Sequence, residues 1–260
     1  RYFEYWMGAE AYDPWIIQRD LQRIADMGMN SISVFQYYDV MNDQNLLDLL
    51  YRADRLGLKV NLSLRPGTPF DFEWDKIKEM IEYYRLPEHD EVFAYDLAWE
   101  PMFPGHEGRK RWDKEWVAWV IERYGSIENA EKDWKYPIPR DENGNVTNPK
   151  DEMMTKEGEW RIMVCAYRRF LDTLLYEYYN RARTLVRSVD TNHAVSFRMT
   201  EGSNPTNNWA NPLPYDWYYL SQAVDILEPE AYGRIGNWEM VKPGWFQVKY
   251  GTYCNPDIPL

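Results

Sequence analysis

Carboxylates recur at one kind of place in this sequence, directly after a short apolar run that reads as a β-strand. Glu10 follows the run over 3–9, and Glu100 follows Val92-Phe93-Ala94-Tyr95-Asp96-Leu97-Ala98. Glu201 follows 194–199, and Glu228 and Glu230 follow 224–227. Two carboxyl groups at one mouth are what cleavage of a glycosidic bond requires. One protonates the leaving oxygen, and the other attacks the anomeric carbon or activates water. Crowded acids also raise one another's pKa, which lets one of them hold a proton near neutral pH. Glu100 stands apart, because Pro101 stops its strand immediately afterwards. The others have plainer readings too: Glu10 as the cap of the next helix, Glu201 as a solvated loop residue, Glu228 and Glu230 as rim acids. Arg65 and Arg198, also at strand ends, offer positive charge to a substrate or pair with Asp96 or the rim acids.

Strand ends share one face only if the strands run parallel, and the chain is written that way. Strand-like and helix-like segments alternate, the mark of a parallel sheet with crossover helices. After 3–9, Asp13-Pro14 supplies an N-cap and a proline at the first helical position. Ile17, Leu21, Ile24 and Ala25 form an apolar face ending at Gly28. Strand 31–36 precedes helix 44–56, which carries Leu46, Leu49, Leu50 and Ala53 and stops at Gly57. Strand 58–64 alternates Val60, Leu62 and Leu64 with small polar residues, and Asp71 is expected to cap a helix over 73–84.

After strand 92–98 comes a long excursion, with helices over 112–124 and 127–134, a polar loop at Asp141–Pro149 and a helix over 159–188. Strand 194–199, a short helix over 216–222, strand 224–227 and a loop and helix over 235–253 follow, and 255–260 reads as the approach to a seventh strand. Six strands in this order predict an α/β, TIM-type (β/α)8 barrel with strands one to six present. Strands seven and eight are expected to be missing from the sequence as given, since six open strands leave two unpaired edges. The chain over 1–260 reads as a single catalytic barrel domain with a helical insertion over 102–190.

Composition narrows the partners. Thirty Lys and Arg against 42 Asp and Glu give a net charge of −12, so a basic stripe for phosphate backbones is absent and nucleic acid is not expected. No run of about 18 apolar residues predicts a membrane span. Cys165 and Cys254 are too few for a metal cluster, and His89, His106 and His193 show no ligand spacing, so no metal or other cofactor is expected. No signal-peptide pattern is visible, and the compartment is left open. Aromatic residues reach 17%, with 13 Trp and 21 Tyr. Such rings either fill a core or stack on the C–H faces of sugars, and the excess favours carbohydrate as the partner.

Ala94-Tyr95-Asp96-Leu97-Ala98-Trp99-Glu100-Pro101 resembles the strand-four motif of clan A glycoside hydrolases, which ends Asn-Glu-Pro. Arg19-Asp20-Leu21 through Ala25, Gly28 and Asn30 resembles that clan's first helix and the turn into its second strand. Trp116–Trp134, containing Tyr124-Gly125-Ser126-Ile127, is similar to the insertion of the family 42 β-galactosidases; family 5-like enzymes share the layout. Glu230-Ala231-Tyr232-Gly233 resembles the strand-six His-x-Tyr segment, and Pro256–Leu260 the lead-in to strand seven. The resemblance implies a retaining mechanism with Glu100 as acid/base, a nucleophile Glu beyond Leu260, and Tyr232 hydrogen-bonded to that nucleophile.

Three positions depart from the clan. Trp99 replaces the Asn that contacts the sugar 2-hydroxyl, Ser33 stands where strand two has an Arg, and Glu230 replaces the His of His-x-Tyr. The expected substrate-binding set is Glu10, Arg65, Trp99, Arg198, Glu230 and Tyr232. The rival from another class is a non-catalytic barrel that binds glycans, which the loss of the Asn and Arg would fit. Lyases and isomerases on barrels would normally bring phosphate or metal sites that are not found.

Overall fold

The computed structural model describes residues 11–36, 43–64, 69–99, 102–198, 216–229 and 238–260. Its elements start and stop on local chemistry. Helix α1 (Pro14–Asp26) begins on Asp13, whose carboxylate accepts from the backbone N–H groups of Trp15 and Ile16. Pro14 takes the first helical position, where its missing N–H is no loss. Ile17 and Leu21 form the buried face. Just past α1 and past α2 (Asp43–Arg55), Gly28 and Gly57 adopt φ of 80° and 67°, a left-handed turn that glycine makes without a Cβ clash.

Helix α3 (Trp74–Tyr83) departs from expectation. Its N-cap is Glu73, whose side chain makes no capping bond, and Asp71 ends a short 3-10 turn over Pro69–Asp71. Asp71 sits three residues ahead of the helix, too far to cap it, and pairs instead with Arg111 at 3.0 Å.

The described strands are β1 (Ser31–Gln36), β2 (Lys59–Leu64), β3 (Val92–Trp99), β4 (Ala194–Arg198) and β5 (Ile226–Glu228). They pair in the order β1-β2-β3-β4-β5, every pair parallel. The expected strand over 3–9 lies outside the described residues, so β1 is the second strand of the predicted order. β5 begins two residues later than 224–227 implied. Asp225 instead closes the turn: its N–H donates to Val195 O at 2.8 Å and its carboxylate accepts from Val195 N at 2.9 Å.

The sheet is curled. Strands lie about 4.8 Å apart, so β1 and β4, or β2 and β5, would be roughly 14 Å apart in a flat sheet. Yet Arg198 on β4 donates to Ser33 on β1, and Asn61 on β2 donates to Glu228 on β5. Side chains reach these partners only across the concave face of a barrel wall. The convex face is apolar: Val60, Leu62 and Leu64 are fully buried, as are Leu46, Leu49 and Leu50 of α2.

Between β3 and β4 run α4 (His106–Arg109), α5 (Asp113–Tyr124), α6 (Ile127–Trp134), α7 (Asp151–Thr155) and α8 (Arg161–Arg187). Aromatic rings hold this excursion together. Trp116 stacks on Trp134 at 5.9 Å and 7°, and meets Tyr167 of α8 edge-on at 5.1 Å. Arg109 is buried beside them, donating to Pro104 O, Pro149 O and Asp151. Much of the aromatic excess is therefore core. Tyr179 of α8 packs on Phe197 of β4 at 4.5 Å, docking the helix to the sheet. Behind the sheet, Asp190 accepts from Tyr95 at 2.5 Å and binds His193 Nδ1 at 2.7 Å.

After β4, α9 (Trp217–Ser221) precedes β5, and α10 (Trp238–Cys254) follows it. Leu227 N then donates to Pro259 O at 3.1 Å. A Cβ at Gly251 in α10 would stand 2.7 Å from Leu260, so glycine admits this close approach. The chain at Pro259 thus runs along the outer edge of β5, where the next barrel strand belongs. Among the described residues, no helix is long and apolar enough to cross a membrane.

Candidate active site

The concave face is built from the residues that alternate with the apolar ones. Ser33 faces Asn61, Phe35 faces Ser63, Ser63 faces Asp96, and Asp96 faces Ser196. Small polar side chains leave room, and two charged residues fill the C-terminal end: Arg198 of β4 and Glu228 of β5, paired in register. Arg198 Nε and Nη2 each lie 3.3 Å from Glu228 Oε2, and Nε lies 3.7 Å from Asp96 Oδ2. The guanidinium stands 4.9 Å from the centre of the Phe35 ring. Asn61 Nδ2 holds the other oxygen of Glu228 and lies 3.5 Å from Ser196 Oγ. One network therefore joins β1 to β5. Asp96 is fully buried, while Arg198 and Glu228 retain 14% and 19% of their side-chain exposure, enough to be reached from the mouth.

The register also bears on Glu100. Asp96 pairs with Ser196, but Trp99 pairs with Arg198, so β3 carries an extra residue just before its end. Bulges of this kind re-aim side chains and are common beside active sites. Glu100 follows Trp99 directly in the chain.

Of the residues singled out in the sequence, Arg198 is brought to the centre of the concave face, and Asp96 and Glu228 are its partners. Trp99 is placed by its backbone as the last residue of β3. Glu10, Arg65, Glu100, Glu201, Glu230 and Tyr232 lie outside the described residues. Ser33 stands out in the sequence only as a departure from the clan's Arg, and Asn61 does not stand out; the signal for Asn61 is the alternation of 58–64, which sets Asn61 and Ser63 opposite Val60, Leu62 and Leu64.

Beside the mouth, Phe70 follows β2 and Phe103 follows β3. The two rings pack at 5.0 Å, and Phe70 also meets Trp112 at 5.2 Å and Tyr178 of α8 at 5.7 Å. Phe70, Phe103 and Trp112 are buried, so they brace the loops and offer no stacking face to a sugar. Farther along α8, Asp172 accepts from Asp216 N at 3.1 Å. Burial, helped by the nearby Asp216 carboxylate, pushes Asp172 up to about 7 against the pull of that N–H, Arg169 and Arg168.

No family model matches the chain, and no curated protein matches its sequence. Solved structures do match. A GH42 β-galactosidase from G. stearothermophilus superposes with a TM-score of 0.68 at 13% identity, covering 93% of this chain. A cold-adapted β-galactosidase from Rahnella sp. R3 gives 0.66 at 12% over 91%. The endo-β-1,4-mannanase of Thermotoga petrophila gives 0.51 at 11% over 95%. The fold is that of the clan A (β/α)8 glycoside hydrolases. The chain spans 42%, 40% and 56% of the lengths of these three proteins. In the predicted order β1 to β5 are strands two to six, and Arg198 and Glu228 are the last residues of β4 and β5, on the C-terminal face where barrel enzymes build their sites.

Proposed function

We propose that this chain is the greater part of a retaining glycoside hydrolase barrel that cleaves O-glycosidic bonds of an oligo- or polysaccharide. Glu100 is its acid/base residue, and the nucleophilic carboxylate stands on the strand beyond Leu260. Tyr232 supports that nucleophile, and Glu10, Arg65, Trp99, Arg198 and Glu230 bind the sugar. The observation that carries the reading is the register of β3. Trp99 lies beside Arg198 in a glycosidase fold, after a bulge and one residue ahead of Glu100, with a polar network across the concave face. A retaining enzyme forms a glycosyl-enzyme intermediate at one carboxylate and hydrolyses it with help from the other.

The test is to incubate the full-length protein with a panel of nitrophenyl glycosides and polysaccharides and to follow the released sugar by proton NMR. The expected first product has the anomeric configuration of the substrate. An inverted first product removes the retaining mechanism. Saturable glycan binding with no turnover supports a binding-only barrel instead.

A further inference from the structure

Arg198 is fixed on one edge and on one face. Its Nε and Nη2 both donate to Glu228 Oε2 at 3.3 Å, and Nη2 also donates to Ser33 Oγ. The guanidinium carbon lies 4.9 Å from the centre of the Phe35 ring, which backs its plane. Glu228 is tied down in turn. Its other oxygen accepts from Asn61 Nδ2, and Asn61 is 4% exposed. Among the described residues, Nη1 alone of the three guanidinium nitrogens has no hydrogen-bond partner.

Resting on the glycosidase reading above, we infer that Glu228 and Ser33 are positioning residues, which pin Arg198 so that its Nη1 donors are set for an oxygen of the sugar. A guanidinium is a planar fork whose donors are fixed relative to one another, so holding two nitrogens aims the third. An arginine free in solution would lose side-chain freedom on meeting the sugar. This one loses it on folding, and binding is spared that cost. The dependence runs in one direction: Asn61 holds Glu228, Glu228 and Ser33 hold Arg198, and Arg198 meets the sugar. Ser33 lies on β1 and Glu228 on β5, so the aim of one side chain on β4 is set from both edges of the described sheet.

The test is a double-mutant cycle in the full-length protein, read as kcat/KM on the nitrophenyl glycoside that the wild type turns over best. A hydrogen bond to a charged group is worth about 10- to 100-fold, so Arg198→Ala should lose about 100-fold and Glu228→Met about 10-fold, chiefly by raising KM. The double variant should fall no more than about 2-fold below Arg198→Ala, because Glu228 then has nothing left to aim. Glu228→Gln keeps one acceptor oxygen and should recover most of what Glu228→Met loses. Should Glu228→Met fail to fold by circular dichroism, Ser33 carries the same cycle: Ser33→Ala should raise KM by about 3- to 10-fold, and Ser33→Thr, which keeps the hydroxyl, should recover most of that loss. Losses that multiply in the double variant would overturn the inference, as would an Arg198→Ala protein as active as the wild type. Losses confined to kcat would mark structural damage and overturn it too. In each of those cases the glycosidase reading stands. Turnover of no glycoside by the wild type would remove that reading, and this inference with it.

Discussion

Asp172→Asn should stabilise the protein at alkaline pH and do little at acid pH. Asp172 accepts from Asp216 N at the start of α9, and Arg169 lies 3.8 Å from the Asp216 carboxylate. Its folded pKa of about 7 stands above the ordinary 3.8. The folded chain therefore binds a proton that the unfolded chain releases between those values, and stability from this group is complete below about 4 and lost as pH rises through about 7. Each pKa unit is worth about 1.4 kcal/mol, which sets a ceiling of about 4 kcal/mol. Because Asp172 keeps some contact with solvent, about 2–3 kcal/mol is expected. Asparagine retains an oxygen for Asp216 N and carries no charge. At pH 8 the variant should gain that energy, roughly 4–6 °C in Tm for a chain of this size, and at pH 4 the two proteins should coincide. Thermal unfolding at pH 4, 6 and 8 decides it. An Asp172→Asn protein that is less stable at pH 8, or one with an unchanged pH slope, would mean that Arg168 and Arg169 hold the carboxylate charged and would refute the reasoning.

Asp190 should behave in the opposite sense. Burial pushes it up, but Tyr95, His193 and the N–H of Asn192 outweigh that and hold it below the ordinary carboxylate range. Its contribution is present above about pH 4 and lost on acidification, so Asp190→Asn should cost about 2 kcal/mol at pH 7 and less at pH 3 by urea unfolding. Arg109→Met removes the donors to Pro104 O and Pro149 O and the partner of Asp151. It should cost about 3 kcal/mol, with faster amide exchange confined to the segment over 104–151; uniform exchange across the chain would count against a local clasp. Trp116→Ala should cost about 3–5 kcal/mol in chemical unfolding, because it empties the stack between Trp134 and Tyr167.

What was legible in the sequence was local. Asp13-Pro14 and Gly28 bound α1 because capping and left-handed turns depend on a few neighbouring residues. The alternation in 58–64 fixed which residues of β2 face the helices, because the side-chain period of a strand is two. The βα order predicted a parallel sheet, and all the described pairings are parallel. Of the network at the mouth, the pairing of Arg198 with Asp96 and the rim acid Glu228 was legible, but its reach to Ser33 and Asn61 was not. Arg198 and Ser33 are 165 positions apart, and Asn61 and Glu228 are 167 apart. Those pairs meet only because the sheet curls, and curl is a property of the assembled strands. Glu228 looked like any rim acid until Asn61 and Arg198 were seen to hold both its oxygens. Asp71 failed as a cap because the helix starts three residues later, at Trp74, and its carboxylate pairs instead with Arg111 near the start of the excursion after β3. The aromatic count pointed toward sugar, yet Trp116, Trp134 and Tyr167 serve the insertion's core.

The central claim is that Glu100 carries the proton. Glu100→Gln in the full-length protein keeps the shape and removes that proton, and general acid catalysis contributes about 10²–10⁴-fold. Turnover of a natural glycoside should fall by that factor, while the first step on a dinitrophenyl glycoside, whose leaving group needs little protonation, survives far better. Azide, a small anion that needs no general base, should then rescue the second step and give a glycosyl azide of retained configuration. Equal loss for all leaving groups without azide rescue would contradict the account and take the acid/base role from Glu100.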